Sequence, residues 1–560
     1  DWEKNVPVDA RRTLFRPGST SKLFTWIAVM QQVEQGKLDL DADLNQYLDF
    51  KIPAHKSGKA LTLRHAMTHT TGLEETARDL LSYSDKTPNL GAVLKGYVPP
   101  YVYEPGTTPG YSNYATALAG YIVERVSGMS FDDYIEQKVL HPIGMKQSTF
   151  RQPLPATLKD QMSVGYFSQD KAGQGFEIIS MPPAGSLSAT GEDMGRFMMT
   201  VLNQGKIGNS EGQILKPETL KKMFSELTRP MPELTGIGLG FYQQDINGHR
   251  AFGHGGDTVL FHTDLALFPD QNIGLYVSFN SAGENGLGKW LRDRVFEGFA
   301  DRYLPDTRPQ AKPQVDEATA KAHAQLMAGA HRSSRREDST FLSLLQLLSP
   351  LKVEALKDGR IAIDLAGARS VFREVRPLLW EEEHGKRRIQ ALVDNGKVTR
   401  WAMEPYAFAF VFEPVPALAS PAAMVALCAA LAVTAITALL WPLVATLRRQ
   451  HGVARPAKSV GAVRSACVLV LVALGLWTAT VMGLENLDDT SILLPLAQIS
   501  TLLAFGGGVL ASLWQVRTVF QAGSVASKGA RALAVLWLAS FVVLFVMGLA
   551  HHMISFNQWY

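Results

Sequence analysis

Four apolar runs near the end of the chain, about 421–446, 463–484, 491–514 and 531–552, constrain the molecule most. Each is near or above the roughly 18 to 20 residues that cross a bilayer. Backbone groups in lipid must be satisfied within the segment, so each run is expected to be a helix. Pro442 and Pro495 are placed to bend two of them near their ends. The loops between them differ in charge. Residues 447–462 carry Arg448, Arg449, Arg455 and Lys458, and residues 515–531 carry Arg517, Lys528 and Arg531, with no acid in either. Residues 485–490 carry Glu485, Asp488 and Asp489. Basic loops stay on the cytoplasmic side, which puts the acidic loop, residues 1–420 and the C-terminus outside. The expectation is a multi-pass protein of the cytoplasmic (inner) membrane, in contact with lipid, with a periplasmic or extracellular soluble part. A packed helical core would explain the apolar runs but not the alternation of charge.

At 560 residues the chain is long enough for several units. Its net charge of +3 gives no sign of a nucleic-acid partner. Cys428 and Cys467 both lie in apolar runs, which speaks against a disulfide framework or a Cys-based metal site. The chain begins at Asp1, and its first residues read like the interior of a domain. This suggests a fragment or a processed chain that has lost an export signal and some opening structure.

Residues 1–305 read as an α+β unit: helices first, then strands at 238–242, 251–254, 262–268 and 273–279, and a closing helix at 287–303. Residues 182–187 read as a loop, 188–202 as a helix, and 131–139 as helical. A Pro-containing linker covers 306–315. Residues 316–414 read as a small β domain, with Asp358-Gly359 and Asn395-Gly396 as hairpin signals and a strand at 408–412. No chemical constellation stands out there, so a spacer or lid is the expected role. The transmembrane region is 421–552.

Three short motifs carry chemistry. Ser19 and Lys22 open a helical run three residues apart, hence on one face. A serine hydroxyl is a weak nucleophile until a base takes its proton, and a lysine in reach can do so. Tyr111-Ser112-Asn113 follows a turn-rich loop and starts another helix, and His254-Gly255-Gly256 lies on a strand. Each motif alone is weak. His65 and His69 are four apart, but no Glu follows His65 and no third ligand is evident, so a packed or hydrogen-bonded pair is expected and no metal or cofactor.

Together and in this order the motifs resemble the serine β-lactamase and penicillin-binding-protein superfamily. The branch is that of class C β-lactamases, D-amino-acid-specific peptidases and related esterases. The resemblance covers about residues 1–300, including 62–73, 104–113, 140–145 and 183–197. It implies a β-lactamase/transpeptidase-like domain, with an antiparallel sheet flanked by helices, lacking its opening elements. It implies that Ser19 forms an acyl-enzyme, that Lys22 shares its proton, and that Tyr111 is the general base. Tyrosine ordinarily titrates near about pH 10, so this needs nearby positive charge, which Lys22 would supply. The resemblance further implies that Asn113 bonds the lysine and the substrate amide. The backbone N–H groups of Ser19 and Asp257 would form the oxyanion hole, with Gly255 and Gly256 along the substrate. His254 stands where the superfamily often has a lysine and is only partly charged near neutral pH. This disfavours a β-lactam or a terminal carboxylate and favours a peptidase or esterase.

The expected function is hydrolysis of an amide or ester of a small molecule or peptide, with D-amino-acid-containing peptides foremost, outside the membrane. A β-lactamase or DD-carboxypeptidase is the nearest alternative. From another class, the same fold could serve as a ligand-binding sensor. A transporter is disfavoured because the spans carry few charges at mid-depth. The oligomeric state is not legible.

Overall fold

The structure is a computed structural model and describes the chain apart from residues 85, 209–211, 309–313, 366–367 and 486–488. Asp488 of the acidic loop and residues 309–313 of the expected linker therefore lie outside the described residues. The chain divides into two compact units. The first comprises Asp1–Gly329, Ser333–Arg336 and Lys352–Pro414; the second comprises Ala330–Arg332, Glu337–Leu351 and Val415–Tyr560.

In the first unit, helix α1 (Lys22–Glu34) runs through the core. Leu23, Phe24, Trp26, Ile27, Val29 and Met30 put apolar groups on every face, so the helix is buried nearly all round. Gly36, at φ 68°, lets the chain turn away just past its end. Helix α2 (Asn113–Ser127) packs against α1. The Ser112 hydroxyl caps α2 by accepting the Ala115 N–H at 3.1 Å, and Gly128 ends it in the left-handed region.

An antiparallel sheet follows, with β1 (Tyr242–Gln243), β2 (Phe252–Asp257), β3 (His262–Phe268) and β4 (Ile273–Phe279) in chain order. Helix α3 (Leu287–Tyr303) packs on it, Phe296 stacking on Phe268. This is the expected α+β arrangement, with three local corrections. The strand expected at 238–242 shrinks to β1, because the Gly238 N–H turns back onto Phe241 O. The 182–187 loop contains a helical turn, Pro182–Gly185, and the following helix starts at Gly191, capped by Thr190. Ser188 is extended instead, exchanging backbone bonds with Thr149. The 131–139 helix is Phe131–Ile135 followed by a π-helical turn, Glu136–Leu140.

Beyond α3, the strand order closes an eight-stranded barrel: Gly329–Ser333, Leu351–Ala355, Ile361–Leu365, Ala368–Arg376, Leu379–Glu382, Arg388–Asp394, Lys397–Met403 and Phe412–Pro414. Trp380 and Trp401 are fully buried in it. The strand expected at 408–412 is not one. Tyr406–Phe408 is a 3-10 turn, Phe410 forms an isolated bridge to Gly110, and the strand is Phe412–Pro414, with Trp401 opposite Phe412.

The second unit contains four helices long and apolar enough to cross a membrane: Pro421–Gln450, Lys458–Glu485, Leu493–Phe520 and Lys528–Ala550. They run beyond the apolar segments, so Arg448, Arg449, Lys458, Arg517, Lys528 and Arg531 stand on helix ends and not in loops. Their contacts use small and polar groups. Gly508 admits the Phe541 ring, Trp477 Nε1 donates to Thr501 at 2.8 Å, and Ser459 Oγ donates to Gln515 Oε1 at 2.7 Å.

Candidate active site

Ser19 lies in a 3-10 turn, Gly18–Ser21, which leads directly into α1. Lys22 is the first residue of α1, and its Nζ lies 3.0 Å from Ser19 Oγ. The same nitrogen donates to Asn113 Oδ1 at 2.7 Å and to Ala184 O at 2.6 Å. The helical turn at 182–185 thus supplies a carbonyl to the site.

Two glycines let strand β2 lie against this turn. A Cβ on Gly256 would stand 1.9 Å from Pro17 O, and one on Gly18, at φ +56°, would stand 2.8 Å from Asp257 N. Thr20 Oγ1 adds a hydrogen bond to His254 O at 3.0 Å. The register pairs Asp257 with His262, and the Thr258 N–H bonds Phe261 O. Alternation in an antiparallel ladder then turns the Asp257 N–H outward, away from β3. The Gly255 N–H, on the same edge, donates to Tyr242 Oη at 2.6 Å. The Asp257 carboxylate is held from behind by His262 Nδ1 at 2.7 Å and Arg292 Nη1 at 3.0 Å. Burial opposes its charge, but these two partners together with Lys289 outweigh burial and hold it below the ordinary carboxylate range.

Tyr111 lies between Lys22 and Arg335. Lys22 Nζ is 4.8 Å from its ring centroid and the Arg335 guanidinium 4.9 Å. His69, in the left-handed region at φ 51°, packs its ring 4.1 Å from the Tyr111 ring. His65 serves elsewhere, in the capping box of the helix Leu63–Met67. The two histidines are a packed and a hydrogen-bonded residue, and among the described residues no group of three metal-ligating side chains is assembled. The buried Tyr111 hydroxyl lacks a well-formed hydrogen bond, but lies near enough to Ser19 to favour its ionised form.

The charge states differ from expectation. Burial pushes Lys22 well below the ordinary lysine range; Glu75 resists this and Arg335 adds to it. Burial also pushes the Tyr111 phenol up, against the pull of Ser19 and Arg335. The expected pair of cationic Lys22 and phenolate Tyr111 is therefore disfavoured, because a buried site penalises both charges. Of the three partners of Lys22 Nζ, Ala184 O and Asn113 Oδ1 can only accept, whereas the Ser19 hydroxyl can accept or donate. His254, expected to be partly charged, is pushed down to about 3 by burial and by Lys22, so it is neutral at pH 7. Its Nδ1 donates to Gly255 O at 2.6 Å, which leaves Nε2, buried and unpartnered, as an acceptor.

The structure thus brings together Ser19, Lys22, Tyr111, Asn113 and His254, with the backbone of Gly255, Gly256 and Asp257 beside them. Ala184, Glu75, Arg335 and Phe408 were not anticipated. Phe408 stacks on Tyr242 at 4.1 Å and lies 6.5 Å from both Tyr111 and His254, and the Tyr111 N–H donates to Ala409 O at 2.8 Å. The barrel region, expected to be a spacer or lid without chemistry, forms one wall of the site. The sequence holds no signal for Arg335, which stands in an unremarkable Ser-Ser-Arg-Arg stretch.

A serine within hydrogen-bond reach of a buried lysine, at the head of a central helix and beside an antiparallel strand, is an arrangement that can support nucleophilic attack by the serine. Residues 1–298 match the family model described as Beta-lactamase, and the chain belongs to that family, a family of serine hydrolases. Among its relatives, Protein flp of Staphylococcus aureus (strain MRSA252) is 24% identical over 290 residues, 51% of this chain and 56% of that protein. Penicillin-binding protein 4 of Amycolatopsis lactamdurans is 24% identical over 278 residues, 47% of this chain and 70% of that protein. The chain thus spans little more than half the length of the flp relatives it matches. The crystal structure of SurE covers 73% of this chain and 89% of its own, at 20% identity and a TM-score of 0.50, a likeness of fold.

Proposed function

We propose that the protein is a membrane-anchored serine hydrolase that cleaves an amide or ester through an acyl-enzyme, with its catalytic unit outside the cytoplasmic membrane. The observation that carries this reading is Lys22 Nζ at 3.0 Å from Ser19 Oγ, its other two bonds already committed to carbonyl oxygens. In the proposed cycle Ser19 Oγ forms a bond to the substrate carbonyl carbon while its proton passes to Lys22. The oxygen of the tetrahedral adduct is met by the N–H groups of Ser19 and Asp257, donors of a kind worth about 3 to 4 kcal/mol in the barrier. The bond to the leaving atom breaks as Tyr111 gives it a proton, and Lys22 returns the proton to Tyr111. Water then reverses these steps and frees Ser19. Asn113 and His254 Nε2 are the polar groups left to orient the substrate. A neutral His254 offers no cation to a carboxylate, so the substrate is expected to be uncharged beside the strand. A relative named as a penicillin-binding protein makes D-amino-acid-containing peptides the first amides to test.

The test is labelling of the full chain with a fluorophosphonate and, separately, with a penicillin-like probe, followed by intact mass. One adduct on the parent and none on Ser19→Ala is expected. Equal labelling of Ser19→Ala would show that the nucleophile has been misassigned.

A further inference from the structure

Arg335 is outside the family-matched residues, yet its guanidinium lies 4.9 Å from the Tyr111 ring centroid. Its position is fixed from both sides. Ser334 Oγ donates to Pro109 O at 2.6 Å, two residues before Tyr111, and accepts the Val411 N–H at 2.9 Å. The Glu75 N–H donates to Arg336 O at 3.4 Å. Arg335 Nη2 pairs with Glu75 Oε2 at 2.7 Å, and Nε donates to the same oxygen at 2.9 Å. The charged or titratable groups around Tyr111 are Lys22 from α1, His69 from the loop after Leu63–Met67, His254 and Asp257 from β2, Glu75, and Arg335. Of the cations among them, Lys22 is weakened by its burial and His254 is neutral.

Resting on the reading of Ser19 as nucleophile, we propose that Arg335, tuned by Glu75, is a positioning residue whose fixed positive charge keeps the Lys22–Tyr111 pair free to take the Ser19 proton. Electrostatics give the charge the same effect on both members of the pair. It opposes a proton on Lys22 and stabilises an ionised Tyr111, whereas Glu75 does the reverse to each. The sign of the effect is therefore the same whichever member receives the proton. Arg335 is 38% exposed, so solvent weakens its field, and a shift of about one pH unit is expected where a close buried charge gives more. The barrel is thereby part of the catalytic apparatus through its charge.

The test is the pH dependence of acylation by an uncharged p-nitrophenyl ester, followed on the full chain in detergent. Removing Arg335's charge raises the acidic limb, because the base keeps its proton to higher pH. Arg335→Gln is expected to move the limb up by about one unit, a roughly tenfold loss below it. Arg335→Lys should restore most of it, and Glu75→Gln should move it down. Should Arg335→Gln lose its cooperative unfolding, Glu75→Gln decides alone. A limb that stays fixed in these variants while labelling still requires Ser19 overturns the Arg335 assignment only. So does an effect confined to the KM of anionic esters, which would make Arg335 a substrate anchor. Labelling that survives Ser19→Ala overturns the underlying reading and this one with it.

Discussion

Lys22 Nζ makes three hydrogen bonds, and the chemistry of its partners fixes two of them. Ala184 O and Asn113 Oδ1 can only accept, so only the contact to Ser19 can change direction as the lysine changes charge. The spacing of Ser19 and Lys22 was legible in the sequence, because three residues along a helix always share a face. The charge of Lys22 was not, because it depends on burial, and burial depends on residues far along the chain. The same holds for His254: its type was visible, its neutrality was not. Gly256 shows a steric constraint of the same kind. A methyl there would lie 1.9 Å from Pro17 O, within the turn that carries Ser19. Gly256→Ala should therefore displace the strand from the nucleophile and reduce fluorophosphonate labelling by at least about tenfold, since misplacing a reacting group by about 1 Å is costly. Labelling at the parent rate would mean that this approach does not matter to the site.

Among the elements, α1 carries the most, because it forms the core and presents Lys22 at its first turn. Trp26, four residues on, is fully buried, and Gly240, at φ +91°, leaves space for its ring. Trp26→Ala should cost about 3 to 5 kcal/mol of stability, as large aromatic truncations in cores do. Denaturant unfolding of the first unit's tryptophan and circular-dichroism signals measures this; a loss under about 1 kcal/mol would show that the core there collapses freely. Elements with a strong local period were legible: α1, the strands His262–Phe268 and Ile273–Phe279, and the helix Leu287–Tyr303. The strands expected at 238–242 and 408–412 were not, because both segments are apolar for a different reason. Phe241 is core, and Phe408 covers the site from a 3-10 turn. An apolar run shows that a segment is buried, but not which partner it meets.

For the whole molecule, the charge alternation of the loops makes a prediction about sidedness. A single cysteine at position 453, in a Cys428→Ser/Cys467→Ser background, should react with a membrane-impermeant maleimide only after the cytoplasmic membrane is opened. A cysteine at position 489 should react in intact spheroplasts. The reverse pattern would put residues 1–420 in the cytosol. The four long apolar helices among the described residues, the α+β order and the family motifs followed from the sequence alone, because hydropathy, periodicity and short spacings act within a few turns of chain. Three features came only from the tertiary structure: a barrel wall on the candidate site, Arg335 beside Tyr111 from more than two hundred residues away, and the burial that lowers the proton affinity of Lys22 and His254. Each depends on which distant groups share a desolvated cleft, and a charge there is set by its neighbours and its loss of water, which sequence order does not encode.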